Sequence, residues 1–328
     1  MVQARIPPTP DGTSLAGKTV IITGGNAGLG LEAGRQFLAL GVSRLILACR
    51  SIPKGEEAVS TLRADSTVQK VNPGAIIDVF ELELDDYRSG LEFANRVKKE
   101  VKELDILLNN GGIATIRYEK SASGHERTMQ VNCYTHILIC LELFPLLQST
   151  AIARDAPTRI IFVGSGTHVT QHTLTKSPIT DTETVLGHFD DEAKFAKFGR
   201  YGDSKLLVNG YVRRLAAIDP EHVVVNNLCP GLVRTGLDKN MPTPLRWTMQ
   251  LVRRSFARTV EEGARTLIYA SVVAGVESNG KFLQNNEVAT GTAFLDEPAG
   301  KEFTEKLWRE TIADVATVDP SLRSFDSS

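Results

Sequence analysis

Short runs of aliphatic and β-branched residues alternate with longer helical patterns along most of this chain, and this alternation constrains the fold more than any other feature. Between residues 18 and 110 the segments are, in order, KTVIITG, LGLEAGRQFLALG, RLILACR, KGEEAVSTLRAD, AIIDVFELEL, YRSGLEFANRVKKEV and DILLNN. Helical patterns near 125–148 and 200–218 follow, with strands RIIFVG at 159–164 and HVVVNNLCPG at 222–231. Because this order is typical of parallel strands joined by crossover helices, and the first strands are apolar almost throughout, we predict an α/β fold with a doubly wound parallel sheet and helices on both faces.

Two long segments interrupt the alternation, and both are predicted to shape a ligand site. Residues 166–199 are rich in Thr, His and Asp, and residues 232–258 carry two prolines, one tryptophan and several arginines. Loops of this length inside a compact domain are usually functional. We predict a single domain over residues 1–328, with a core at about 16–285, insertions at 166–199 and 232–258, and a C-terminal extension at 286–328. The extension contains one amphipathic helical pattern, which we expect to pack on the outside.

Charge and cysteine content narrow the environment of the protein. The formal net charge is −2, with no long run of one sign, so neither nucleic acid nor an acidic membrane surface is an expected partner. No apolar stretch approaches the ~18 residues of a membrane-spanning helix, and the polar N-terminal segment is unlike a signal peptide. The cysteines lie in apolar surroundings without CxxC spacing, at Cys49, Cys133, Cys140 and Cys229. These features predict a soluble cytoplasmic protein with reduced thiols.

The first strand runs directly into the glycine-rich stretch TGGNAGLG, residues 23–30. Its glycines do not fit the G-x-G-x-x-G dinucleotide pattern, because the single-spaced pair, Gly28 and Gly30, comes at the end. The stretch nevertheless opens a helix, and a helix N-terminus approached by a glycine backbone is suited to a pyrophosphate. The alternative is a strand-to-helix turn that merely uses glycine.

The end of the second strand bears on which dinucleotide would bind. An acidic residue about 20 positions after the glycines would hold the ribose 2′-hydroxyl of NAD, but the strand ends in Ala48, Cys49 and Arg50. A guanidinium at this point suits the 2′-phosphate of NADP by charge and by bidentate geometry. The alternative for Arg50 is a solvated arginine at a strand end.

Tyr201 and Lys205 are four residues apart in a helical pattern and therefore share one helix face. A phenol with an ordinary pKa of ~10 is a poor acid or base at neutral pH, and a cation about 4 Å away can bring it toward ~7 to 8. Ser165 follows the fifth strand at the carboxyl edge of the sheet, where ligands of open α/β sheets bind. Its hydroxyl can hold a substrate carbonyl beside the tyrosine; the alternative is an ordinary helix or turn cap.

These motifs together resemble those of the short-chain dehydrogenases/reductases, over most of residues 16–285. The family cofactor motif TGxxxGxG is Thr23, Gly24, Gly28 and Gly30, and the NNAG signature stands as Asn109, Asn110, Gly111 and Gly112, with glycine in place of alanine. The catalytic asparagine corresponds to Asn132 in QVNCYTH, the catalytic serine to Ser165, and YxxxK to Tyr201 with Lys205. The PGxVxT stretch is Pro230, Gly231, Val233 and Thr235.

The resemblance implies a single Rossmann-type catalytic domain that binds NADP(H). The ACR ending of the second strand and the chain length are most similar to the retinol-dehydrogenase-like and protochlorophyllide-reductase-like branch, which favours NADPH. Glu83 occupies the position where the family commonly has an aspartate near the adenine. By this resemblance the cofactor-binding residues are Thr23, Gly24, Asn26, Ala27, Gly28, Leu29, Gly30, Arg50, Glu83, Leu84, Asn110, Gly111, Gly112, Tyr201, Lys205, Pro230, Gly231, Val233 and Thr235.

The resemblance also implies the chemistry. Tyr201 donates a proton to a carbonyl oxygen as hydride arrives from the nicotinamide, Ser165 holds that oxygen, Lys205 acidifies the tyrosine and binds the ribose, and Asn132 connects Lys205 to a water. The expected activity is reduction of a carbonyl, or oxidation of the alcohol, on an apolar small molecule, in secondary metabolism. A redox-neutral isomerase or cyclase and a non-catalytic NADP sensor remain alternatives. Members of the family often dimerise through the helices near 125–148 and 200–218.

Other candidate residues lie in the two insertions. His168 and His172 are four apart, but no HExxH pattern or carboxylate set accompanies them, so no metal site is predicted. Apolar side chains of the second insertion either contact the substrate or form the core of a lid helix; they are Met241, Trp247 and Met249. Its arginines are interpreted as a solvated helical face, with an anionic ligand as the alternative; they are Arg246, Arg253, Arg254 and Arg258.

Overall fold

The computed structural model describes residues 3–234 and 256–326 and contains one eight-stranded sheet. The strand order is β3-β2-β1-β4-β5-β6-β7-β8, with parallel pairing from β3 to β7 and an antiparallel edge between β7 and β8. The predicted doubly wound α/β fold is confirmed. The strands are β1 (Thr19–Thr23), β2 (Arg44–Cys49), β3 (Ile76–Glu81), β4 (Ile106–Asn109), β5 (Thr158–Val163), β6 (Val223–Cys229), β7 (Phe282–Gln284) and β8 (Glu287–Val288).

Helices cover both faces of the sheet, so alternate residues of one strand enter two different cores. Ile21 joins the core that contains α4, α6 and α9, whereas Val20 and Ile22 join the core on the side of α1 and α2. The helices are α1 (Gly28–Ala39), α2 (Ile52–Ala64), α3 (Ser66–Val71), α4 (Tyr87–Glu100), α5 (Arg127–Met129), α6 (Thr135–Arg154), α7 (Thr167–Thr170), α8 (Val185–Asp190), α9 (Arg200–Ile218), α10 (Val260–Ile268) and α11 (Pro298–Val315).

One continuous helical stretch, Arg127–Arg154, joins α5 to α6 through a π-helical turn at Gln130–Tyr134. Contrary to the prediction that no apolar stretch approaches the length of a membrane-spanning helix, this one is long and apolar enough to span a bilayer, with a mean hydropathy of 1.6 in its most apolar window. Two thirds of that window is buried inside the protein, as in the core helix of a globular domain. Burial against the sheet therefore accounts for its apolar composition.

The C-terminal extension forms α11 as predicted and packs on α8 and α9. It lies outside the layers next to the sheet, yet one face is fully buried, with Leu307, Trp308 and Ile312 at no more than 1% exposure. These side chains belong to the main core cluster. Part of the surface of α9 is therefore covered by this chain's own extension, and the predicted homodimer through that helix stays a prediction.

Candidate active site

The glycine stretch forms a tight turn between β1 and α1 at the carboxyl edge of the sheet. Gly24 N donates to Ala48 O of β2 at 2.8 Å. A Cβ on Gly30 would lie 2.5 Å from Gly24 O and 2.6 Å from Asn110 Nδ2, so no side chain fits there. Ala27, the residue before α1, supplies no side-chain cap. The first N–H groups of α1 are thus left for another acceptor, as expected at a phosphate site.

Thr23 connects this turn to the NNGG segment after β4. Its Oγ1 accepts hydrogen bonds from Asn110 N and Gly111 N, both at 2.9 Å, and lies 3.0 Å from His136 Nε2. A hydroxyl that accepts twice donates once, so the Thr23 hydroxyl donates to His136. Burial, assisted by the charge of Lys205, lowers the pKa of His136 to about 3, which keeps this ring neutral and able to accept. Sequence reasoning missed His136 because no motif marks it, 113 residues from its partner.

The two residues assigned to the adenosine half of the cofactor lie together at the ends of β2 and β3. Arg50 Nη1 lies 3.5 Å from Glu83 Oε2, and the side chains are 67% and 34% exposed. Leu84, next in the chain, is buried against the backbone of Gly111, where a Cβ would come within 2.5 Å of Leu84 Cδ1. The structure therefore brings a partly exposed guanidinium, a carboxylate and an apolar wall to one place.

Tyr201 and Lys205 lie on α9, with Lys205 Nζ 5.5 Å from the centroid of the tyrosine ring. Lys205 is 5% exposed and donates to Val163 O, at the end of β5, at 2.8 Å. Burial lowers the pKa of Lys205 to about 8, against an ordinary value of 10.5. The ammonium group is therefore held, mostly charged at neutral pH, beside a half-buried phenol.

Asn132 lies within the π-helical turn before α6 and is 2% exposed. Its Nδ2 donates to Ile113 O and to Ser204 Oγ, both at 3.0 Å, and its Oδ1 accepts from Ile113 N at 2.8 Å. π-Helical turns of this kind are frequent at functional sites. A Cβ on Gly112 would lie 3.1 Å from Asn132 Oδ1 and 4.0 Å from Lys205 Nζ. Asn132, Lys205 and the NNGG segment therefore share one polar cluster.

Ser165 follows β5 two residues after Val163, the carbonyl that binds Lys205. Its hydroxyl is half-buried and accepts a hydrogen bond of 3.3 Å from Thr167 N. His168 Nδ1 lies 2.6 Å from Ser165 O, and α7 packs on α9. Ser165 therefore both caps a turn and lies at the carboxyl edge of the sheet. Its contact with His168 was not indicated by the sequence. Among residues 3–234 and 256–326, no three His, Cys, Asp or Glu side chains are grouped as metal ligands require.

The segment predicted to line the nicotinamide side follows β6. Pro230 and Val233 are buried, and Val233 packs around Gly263 of α10 next to Leu29 of α1. Cys229 Sγ accepts from Gly166 N at 3.3 Å, which ties this segment to the residue after Ser165. Thr235 lies outside the described residues, as do Met241, Arg246, Trp247, Met249, Arg253 and Arg254.

The 166–199 insertion is attached to the rest of the site by buried polar contacts. Asp203, on α9 between Tyr201 and Lys205, accepts from Thr173 N at 2.6 Å, and burial raises its pKa to about 6. His125 contacts Asp190 of α8 at 2.8 Å and Asp314 of α11 at 3.0 Å. Burial alone would lower the pKa of His125, but the two carboxylates raise it to about 9. A charged histidine thus links the insertion to the C-terminal helix.

Comparison with known proteins shows the family to which this chain belongs. Residues 18–175 match the profile of the short chain dehydrogenase family. Short chain dehydrogenase sor7 of Hypocrea jecorina is 67% identical over 286 residues, which cover 87% of this chain and 80% of that protein. Short chain dehydrogenase macD of Penicillium terrestre is 43% identical over 319 residues, 97% of either chain.

Solved structures support the fold at lower identity. Pseudomonas aeruginosa RhlG, in an active-site complex with NADP, superposes with a TM-score of 0.61 at 22% identity, covering 84% of this chain and 97% of that one. A 7α-hydroxysteroid dehydrogenase with NADH and 7-oxo glycochenodeoxycholic acid gives a TM-score of 0.60 at 18% identity, covering 86% and 97%. From the sequence relatives, the chain belongs to the short-chain dehydrogenase/reductase family of oxidoreductases.

Proposed function

We propose that this protein is an NADP(H)-dependent oxidoreductase of the cytoplasm that reduces a carbonyl, or oxidises the alcohol, on an apolar small molecule of secondary metabolism. The observation that carries the proposal is the buried Lys205 ammonium, fixed by Val163 O and held beside the ring of Tyr201. The four cysteines are buried and free, which suits a reducing compartment. Residues 1–328 are proposed to act as one catalytic domain.

The residues at the sheet edge fit a dinucleotide. The close approach at Gly30 leaves room for backbone alone, and the uncapped start of α1 offers N–H donors to a pyrophosphate. Among the described residues, the hydrogen bond that Lys205 makes goes to Val163 O, and its remaining donors suit ribose hydroxyls. When bound, the nicotinamide would supply or accept the hydride.

NADPH is proposed over NADH because of Arg50. The two solved structures with this fold carry NADP in one case and NADH in the other, so the fold alone does not decide. Arg50 is exposed enough to turn toward a 2′-phosphate, and its 3.5 Å contact with Glu83 is long for an ion pair. A 2′-phosphate would therefore not have to displace a strongly bound Glu83 carboxylate from Arg50.

Proton transfer is proposed to follow from the charges around Tyr201. A substrate carbonyl held by the Ser165 hydroxyl would take a proton from the Tyr201 hydroxyl as the carbon receives the hydride. The Lys205 ammonium stabilises the phenolate that remains, and it does so strongly because the group is buried. Asn132 Oδ1 accepts from Ile113 N and retains a second lone pair, which can accept a hydrogen bond from a water. That water can pass a proton back toward Lys205.

An apolar substrate is proposed from exposed apolar side chains that are close in sequence to Ser165 and Tyr201. Val169, four residues after Ser165, is 42% exposed, and Phe198, three residues before Tyr201, is 71% exposed. Large apolar side chains left open to solvent beside a site commonly contact an apolar ligand. Both belong to the 166–199 insertion, which is therefore proposed to shape the substrate pocket.

The proposal is tested by following absorbance at 340 nm with NADPH, then NADH, against a panel of cyclic and aromatic ketones. We expect ketone-dependent loss of NADPH and mass gain of two hydrogens in the product. A product of unchanged mass would indicate a redox-neutral isomerase instead, and binding of NADPH without any product would indicate a sensor. Either result would overturn the proposed reaction.

A further inference from the structure

The N-terminal segment Gln3–Ile6 lies against the chain that follows β6, at the site edge. The side-chain amide of Gln3 accepts from Leu232 N at 2.8 Å and donates to Leu232 O at 2.9 Å. It also donates to Phe256 O at 2.8 Å. One side chain thereby connects Leu232, which precedes the segment 235–255, to Phe256, which follows it. The residues flanking that segment also form a short parallel bridge, between Val233 and Arg258.

Arg258 is the second side chain of this arrangement, and the interpretation of it as a solvated helical residue is wrong. It is 5% exposed, and its guanidinium donates to Pro230 O at 3.0 Å, to Ala4 O at 2.6 Å and to Asn285 Oδ1 at 2.6 Å. Burial lowers the pKa of Arg258 from its ordinary value. A buried cation bonded to two backbone carbonyls holds those carbonyls in a fixed relation.

Gly231 shows how closely the N-terminal segment fits the chain after β6. Its φ is +79°, which favours glycine, and a Cβ there would lie 2.2 Å from Gln3 Oε1 and 2.7 Å from Arg258 Nη1. The glycine of the PGxVxT stretch is therefore required by the contact with the N-terminal segment as well as by its own backbone angle.

The N-terminal segment is itself anchored on α10. Ile6 is fully buried, its N donates to Glu262 Oε1 at 2.8 Å, and its carbonyl accepts from Arg265 Nη1 at 3.0 Å. Because α10 also packs on α1, the anchor lies on a helix in contact with the glycine turn. The segment is thus fixed to the framework of the cofactor site at one end and to the Pro230–Leu232 backbone at the other.

We infer that Gln3 and Arg258 are positioning residues that hold the Pro230–Leu232 backbone in place for the nicotinamide half of the cofactor. The inference rests on the proposed function, since it assumes that NADPH binds at this edge. Its specific content is that the N-terminal segment affects the nicotinamide half and leaves the adenosine half unaffected, because Arg50 and Glu83 make none of these contacts.

The test compares Gln3→Met and Gln3→Glu with the wild type, using NADPH and 2′,5′-ADP as probes. The second probe carries the 2′-phosphate and adenosine without the nicotinamide. Gln3→Met removes all three hydrogen bonds, so we expect the Kd for NADPH to rise about three- to tenfold, with the Kd for 2′,5′-ADP unchanged. Gln3→Glu keeps the bond from Leu232 N but turns a second oxygen toward the Leu232 and Phe256 carbonyls, so it should show a rise at least as large. KM for NADPH should rise with kcat nearly constant.

Gln69→Met, an exposed change on α3, is the matched control and should leave both constants unchanged. Equal weakening of NADPH and 2′,5′-ADP by Gln3→Met would show a merely structural role and overturn the inference, as would no change in either. If wild-type protein bound 2′,5′-ADP and NADPH equally and turned over no ketone, the proposed function would fail first, and the inference with it.

Discussion

The cofactor half and the substrate half of this molecule are held together in different ways. In the cofactor half, formed by β1 to β4 and their following turns, the contacts are between backbone groups at strand ends, such as Gly24 N to Ala48 O. In the substrate half, formed by the 166–199 insertion and α11, the contacts involve side chains whose partners are far apart in the chain. Leu186 N, for example, binds Glu310, 124 residues away. The first half thus depends mainly on backbone contacts at the strand ends, and the second on side chains that meet distant parts of the chain.

The largest effect is expected at the boundary between the two halves, in Lys205→Met. Loss of the cation beside Tyr201 should lower kcat/KM by about 10³-fold. The free energy of unfolding should nevertheless rise by about 2 kcal/mol at pH 7, because the buried ammonium lowers stability wherever it is charged below its depressed pKa of about 8. Steady-state kinetics and urea denaturation measure the two quantities. A fall in both would mean that Lys205 serves structure.

The next effect belongs to the substrate half alone, in His125→Gln. A histidine whose folded pKa of about 9 exceeds its ordinary 6.5 stabilises the fold fully below pH 6.5, and loses that contribution as pH rises through 9. Removing it should cost about 3 kcal/mol of unfolding free energy at pH 6, and the difference from wild type should shrink by pH 10.

His222→Gln, at a pair with Asp219 where the histidine is 38% exposed, is the control and should cost less than about 0.5 kcal/mol. NADPH affinity should be unchanged by His125→Gln. A difference that grows with pH would contradict the assignment of charge to His125.

The cofactor half is tested separately by Gly30→Ala. Because the new Cβ would lie 2.5 Å from Gly24 O, the turn must shift, which should cost about 1 to 3 kcal/mol and weaken NADPH binding at least tenfold. Gly74→Ala, where a Cβ meets nothing within 4 Å, should change neither stability nor affinity measurably. Calorimetry with NADPH gives both affinities, and equal behaviour of the two variants would remove the argument for a close-fitting turn.

The smallest effect is expected at the surface of the cofactor half, in Arg50→Met. The ratio of kcat/KM for NADPH to that for NADH should fall by about tenfold, or ~1.4 kcal/mol, with stability unchanged because the pair with Glu83 is exposed. An unaltered ratio in initial-rate measurements with both cofactors would assign the 2′-phosphate to other residues.

This contrast also explains what could be predicted from the sequence. The strand alternation, the glycine turn and the Tyr201–Lys205 pair depend on residues close in the chain, and the doubly wound parallel sheet was predicted from the alternation. His136 under Thr23, and Asp190 and Asp314 around His125, were not predictable, because each contact depends on two segments that meet only after folding. Arg258 was assigned to solvent because its charge suggested exposure, whereas the N-terminal segment buries it.

The central claim is that Tyr201 transfers the proton in carbonyl reduction, and Tyr201→Phe tests it most directly. With the active ketone, kcat should fall about 10³-fold while the Kd for NADPH stays within about twofold, because only the phenolic hydroxyl is lost. Tyr269→Phe, whose ring packs in the core on the other face of the sheet, should retain turnover. Full turnover by Tyr201→Phe would contradict the claim.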